Sequence, residues 1–160
     1  MTALVVIDTQ VGAFTGEWAM PEGDALIAAC QAAVAEARRL GHKVLWVQHH
    51  EPGGAMDGAG FAIDPRLAPA GNEPRVVKTE PDAFSNAALA TLLQGEDRIL
   101  LCGLQSDCCV RATALGGQAL GLPVAVLTHA HHTWPSKGRS ATEVRDAINT
   151  ELHAAGVPLA

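Results

Sequence analysis

Short apolar runs alternate with longer segments of helical period along the chain. "ALVVI" (3–7), "KVLWVQ" (43–48), "RILLC" (98–102) and "PVAVLT" (123–128) are rich in β-branched residues and apolar on both faces. Strands of that kind sit inside a parallel sheet covered by helices on both sides. Between the first two, Leu26, Cys30, Ala33, Ala37 and Leu40 recur at spacings of three and four, with Gly41 placed to stop the helix. Residues 84–93 and 107–120 predict further helices, the second closed by Gly121. Ser140 and Glu143 have capping-box spacing at the start of the last one. Strand and helix in alternation predict an α/β three-layer sandwich with right-handed crossovers. Two stretches interrupt it: a Gly- and Pro-rich loop over 49–74, of a length that is usually functional, and a shorter irregular segment over 129–139.

Composition narrows the class of protein. A chain of 160 residues, 48% hydrophobic and 18% charged, suits one globular domain over residues 1–160. A net charge of −6 without any block of like charge argues against nucleic acid or an anionic membrane as a partner. No apolar run approaches the ~20 residues of a spanning helix. "MTALVVIDTQ" runs directly into a strand with no basic leader, so the expectation is a cytoplasmic protein. The four cysteines then read as thiols rather than as a disulfide framework.

In open α/β sheets, ligands bind beyond the carboxyl ends of the strands. Asp8 follows the first apolar run, His49 and His50 the second, Lys78 the short run "RVV", and Cys108 and Cys109 the run "ILLCGLQSD". An acid, a base and a thiol are thereby expected on one rim. A helix start lowers the pKa of a thiol, an acid can take its proton, and free amides at the same turn can hold an oxyanion. The set suffices for acyl transfer by a cysteine nucleophile. Adjacent cysteines lack the spacer of a C-x-x-C redox site. His49, His50, His129, His131 and His132 supply metal donors, although polar pocket lining is the preferred reading and no metal is expected. Cys30 and Cys102 read as buried fillers.

With these residues in view, the sequence resembles the isochorismatase-like cysteine hydrolases, the superfamily of nicotinamidases and N-carbamoylsarcosine amidohydrolases. Asp8, Gln10 and Phe14 in "IDTQVGAF" are similar to the family's D-x-Q turn, and "VVKTEPDAFSNAAL" resembles the segment bearing the family lysine. "CGLQSDCCVRATA" is similar to G-x-x-[TS]-[DN]-x-C-V through Gly103, Ser106, Asp107, Cys109 and Val110. The resemblance implies a triad of Asp8, Lys78 and Cys109, a cis peptide between Leu104 and Gln105, and an oxyanion hole from the amides of Gln105 and Cys109. It implies a doubly wound, Rossmann-like sheet of order 3-2-1-4-5-6 and a homodimer or larger homo-oligomer. Its metal-containing nicotinamidases carry Asp-x-His after the second strand, where this chain has Gln48, His49 and His50.

The expected activity is hydrolysis of a C–N bond in a small amide or carbamoyl compound through a thioester on Cys109, without cofactor. Phe14, Trp18, His49, Phe61, Phe84 and Trp134 are candidates for the pocket wall, and Cys108 is expected to pack beside the nucleophile. Two alternatives stay open: isochorismatase-type hydrolysis of an enol ether, and a non-catalytic thiol redox sensor.

Overall fold

The computed structural model describes all 160 residues. Strands β1 (Thr2–Ile7), β2 (Lys43–His49), β3 (Arg75–Lys78), β4 (Arg98–Leu104) and β5 (Val124–His132) form one all-parallel sheet in the order β3-β2-β1-β4-β5. Helices α1 (Gly23–Arg39), α2 (Ala87–Leu92), α3 (Arg111–Ala119) and α4 (Ala141–Ala154) flank it. No helix is long and apolar enough to cross a membrane.

The two-sided apolar character of β1 explains its central place. Ala3, Val5 and Ile7 enter one core layer with Leu89, Val110, Ala114 and Leu152, while Leu4 and Val6 enter the other with Leu26, Ile27, Cys30 and Val34 of α1. Each of the valine, leucine and isoleucine side chains among them contributes roughly 1.5–3 kcal/mol by leaving water. The stop signals also act as the sequence implies. At the end of α1, Gly41 takes φ +69, its N–H bonds Arg38 O, and His42 N–H bonds Ala37 O at 2.8 Å. That pair of bonds closes a Schellman motif. Gly121 ends α3 in the same way, its N–H bonding Gln118 O while Leu122 N–H bonds Gly117 O. The capping box forms, with Glu143 N–H donating to Ser140 Oγ and Ser140 N–H to Glu143 Oε2.

Four features differ from the sequence reading. The expected sixth strand is reduced to a bridge between Leu159 and Val126 on the outer side of β5, where Pro158 has no N–H to give a ladder. Strand β5 runs through His132, into the segment expected to be irregular, because Gly103 and Leu104 pair with His131 and His132 after a bulge. The helix expected over 84–93 splits into a 3₁₀ turn (Ala83–Ser85) and α2, since Asn86 caps α2 by accepting from Ala88 N–H. The cysteine turn Ser106–Val110 is a π-helical turn ahead of α3 rather than its first α-turn.

Candidate active site

Three strand ends build the site. Asp8 directly follows β1, and its φ of +55 turns the chain sharply there. Aspartate is among the few non-glycine residues found in that region. Lys78 is the last residue of β3, and its register partner His49 is the last residue of β2. Cys109 sits in the π-turn after β4. Gly103, within β4, has φ +116, and a Cβ there would collide with the backbone of Ile7, so glycine lets β4 lie close beside β1.

The side chains converge on one ammonium. Lys78 Nζ lies 2.9 Å from Asp8 Oδ2, 2.9 Å from His49 Nδ1 and 3.3 Å from Cys109 Sγ. An ammonium has three N–H donors, and each finds its own acceptor. Asp8 and Lys78 are 3% and 2% exposed, so almost no water screens the pair. Asp8 Oδ1 is buried without a hydrogen-bond partner and is free to accept a proton.

Charge balance fixes the resting state. Burial pushes the Asp8 carboxyl above its ordinary range, against the opposing pull of Lys78. Burial, followed by the Asp8 charge, pushes the Cys109 thiol well up. One buried cation compensates one buried anion, which favours a carboxylate beside a neutral thiol at rest.

His49 is kept uncharged at neutral pH by burial and by the neighbouring Lys78, which lower its pKa and leave Nδ1 as an acceptor. Gln10 fixes its backbone: Oε1 accepts from His49 N–H at 2.7 Å, and Nε2 donates to His49 O and Phe61 O at 2.9 Å each. The D-x-Q spacing was the sequence signal for Gln10, although it did not disclose this bracket. Because His49 completes the set around Lys78, His49→Ala is expected to lower kcat/KM about tenfold, the scale of one lost hydrogen bond to a charged group. His49→Asn offers Oδ1 in place of Nδ1 and should retain most of the rate. Steady-state kinetics of the two variants check this.

The remaining sequence candidates lie as follows. The Leu104–Gln105 peptide is cis, and the Gln105 N–H donates to no backbone carbonyl. Cys108 N–H and Val110 N–H both bond the Gln105 carbonyl, which ties that residue to the cysteine turn. Cys108 is exposed and Cys109 buried, which corrects the expectation that Cys108 packs beside the nucleophile. Phe61 stacks edge-on to His50, with centroids 5.7 Å apart, and its carbonyl also accepts from Gln48. Phe14 lies beneath the Arg66 guanidinium, and Trp134 Nε1 donates to the carbonyl of the exposed Trp18. Phe84 belongs to the same core layer as Cys109.

Asp8, His49 and Cys109 each offer a donor atom within 4.8 Å of the others, a set able to hold a metal ion. Lys78 Nζ already contacts all three residues, so an ion would have to displace it. Elsewhere, His129 is exposed, His131 uses both ring nitrogens, and His132 pairs with Glu22.

A parallel α/β sheet that gathers a thiol, a carboxylate and an ammonium at the carboxyl ends of its strands places them where enzymes of the α/β class hold their substrates. The family model described as the isochorismatase domain matches residues 2–154. The chain belongs to the isochorismatase family. Two streptothricin hydrolases of Streptomyces noursei are similar to it. One is 33% identical over 91% of this chain and 54% of its own length, the other 30% identical over 99% and 71%. This chain therefore spans about half the length of the first. An isochorismatase family protein from Desulfovibrio vulgaris has a TM-score of 0.84 at 26% identity, covering 99% of this chain and 92% of that one. N-carbamoylsarcosine amidase from Thermoplasma acidophilum shares the fold, with a TM-score of 0.78 at 23% identity, covering 99% and 94%.

Proposed function

We propose that the protein hydrolyses a C–N bond of a small amide or carbamoyl compound through a thioester on Cys109. The observation that carries this reading is the single buried ammonium of Lys78 in contact with both Asp8 and Cys109. The similarity to streptothricin hydrolases supports an amide-type substrate.

In this mechanism Asp8 takes the Cys109 proton and the thiolate attacks the substrate carbonyl. The amides of Gln105 and Cys109 receive the oxyanion, and Lys78 stays charged throughout. As the tetrahedral intermediate collapses, the C–N bond breaks and Asp8 returns its proton to the departing nitrogen. Water then gives a proton to Asp8 and attacks the thioester. The acid product leaves, and the same proton restores the thiol.

Ammonia or amine release from nicotinamide, N-carbamoylsarcosine, other carbamoyl amino acids and streptothricin tests the reading, with Cys109→Ala as the blank. Release from none of them above that blank would remove its basis. The pH profile is a second check. Asp8 acts as base only when ionised, and its pKa is raised by burial. The acid limb of kcat/KM is therefore expected above about 3.9, the value of an unperturbed aspartate. Activity should fall as pH drops through that limb, and a limb below it would contradict the assignment.

A further inference from the structure

His131 is a buried imidazole that the hydrolysis above does not use. It lies near the end of β5, 1% exposed, paired with Gly103 of β4. Its Nε2 is 2.9 Å from Asn149 Oδ1 on α4, and its Nδ1 is 2.8 Å from Ser106 Oγ. The Asn149 amide is itself oriented, because its Nδ2 donates to Thr128 O at 3.2 Å. An amide oxygen only accepts, so His131 Nε2 carries the ring proton. Nδ1 of the neutral ring must then accept, and the Ser106 hydroxyl donates to it.

The surroundings keep this ring neutral. Burial pushes His131 down to about 4, and the charges of Arg145 and His132 add to that, against the Asn149 bond and the charge of Asp146. The result is a directed chain from Ser106 through His131 and Asn149 to Thr128. Ser106 is 0% exposed and opens the π-turn, directly after Gln105. Two residues further on, just past the end of β5, Thr133 Oγ1 donates to Asp107 Oδ1 at 2.6 Å. The end of β5 thereby grips two consecutive residues of the loop between the Gln105 and Cys109 amides.

We infer that Ser106 and His131 are positioning residues for the oxyanion loop, holding those two amides where the tetrahedral intermediate needs them. The inference rests on the thioester reading. Neither side chain touches the substrate; both act through the backbone of the loop, and fixed donor placement is what an oxyanion hole requires.

Two probes of Cys109 separate positioning from general damage, both applied to the full chain carrying Cys108→Ser. p-Nitrophenyl acetate acylates Sγ through a tetrahedral oxyanion and expels p-nitrophenolate, read as a burst. Iodoacetamide alkylates Sγ with loss of iodide and forms no oxyanion. Ser106→Ala and His131→Ala are each expected to slow acylation about tenfold or more, with alkylation within about twofold of the parent. His131→Asn keeps an acceptor for Ser106 and should restore acylation to within about threefold of the parent. Melting curves establish that the variants fold, and if His131→Ala does not, Ser106→Ala and His131→Asn carry the comparison. Unchanged acylation, or equal slowing with both probes, would overturn the inference. A parent protein that gives no burst would instead sink the thioester mechanism, and this inference with it.

Discussion

Replacing Cys109 by alanine is expected to reduce amide hydrolysis by about four orders of magnitude or more, the scale seen when a covalent nucleophile is removed. The loss should appear in kcat, because the thiolate acts on the transition state and little of the ground-state contact surface changes. Cys109→Ser should fare little better: a hydroxyl is a far weaker acid than a thiol, and Asp8 beside a charged lysine is too weak a base to ionise it. Cys108→Ser is expected to retain most of the activity, since its side chain is exposed and it is Cys109 whose sulfur lies against Lys78. Equal losses from the two cysteine variants would assign the nucleophile wrongly. Turnover of an enol ether that survives Cys109→Ala would point to the vinyl-ether chemistry instead. Intact-mass analysis during turnover gives an independent readout, with an acyl adduct on the parent protein and none on Cys109→Ala.

The strands were legible because β1, β2, β4 and β5 are apolar on both faces, a pattern that parallel, doubly covered strands produce and surface strands do not. One topological rule, that chemistry gathers beyond the strands' carboxyl ends, put Asp8, His49, His50, Lys78, Cys108 and Cys109 on one rim, and the choice of Cys109 over Cys108 came from the family resemblance alone. The extension of β5 to His132 was hidden because "HAHHTW" has no apolar periodicity. Its pairing depends on a bulge opposite Gly103, which is a tertiary fact. The exposure of Cys108 was hidden for a related reason: a π-turn changes the angular spacing of adjacent side chains, and composition does not distinguish it from an α-turn. The same limit concealed the Ser106–His131–Asn149 chain. Those residues are 25 and 18 positions apart in sequence, and only the docking of α4 beside β5 and the π-turn joins them.

The Asp8–Lys78 pair supports a second large effect, in which stability and activity separate. Lys78→Met leaves the Asp8 carboxylate buried without its cation, and breaking a buried ion pair from one side costs about 3–5 kcal/mol. Without that cation, the Asp8 pKa should rise further, because burial is already the dominant influence on it. A carboxyl whose folded pKa lies above its unfolded one adds stability below the unfolded pKa and loses it as pH rises through the folded value. The deficit of Lys78→Met should therefore be greatest near pH 8 and shrink as the pH falls toward 4. Adding Asp8→Asn removes the buried charge. The double variant is expected to recover stability to within about 1–2 kcal/mol of the parent, since uncharged replacement of a buried pair is often nearly neutral. It should remain about a thousandfold or more below the parent in hydrolysis, because no base is left for the thiol and no cation for the cluster. Denaturant melts of the parent, both single variants and the double variant at two pH values close the cycle. If the two destabilisations simply add, Lys78 does not compensate Asp8. The neutral-cluster account of thiol activation then fails, even if Cys109 remains the nucleophile.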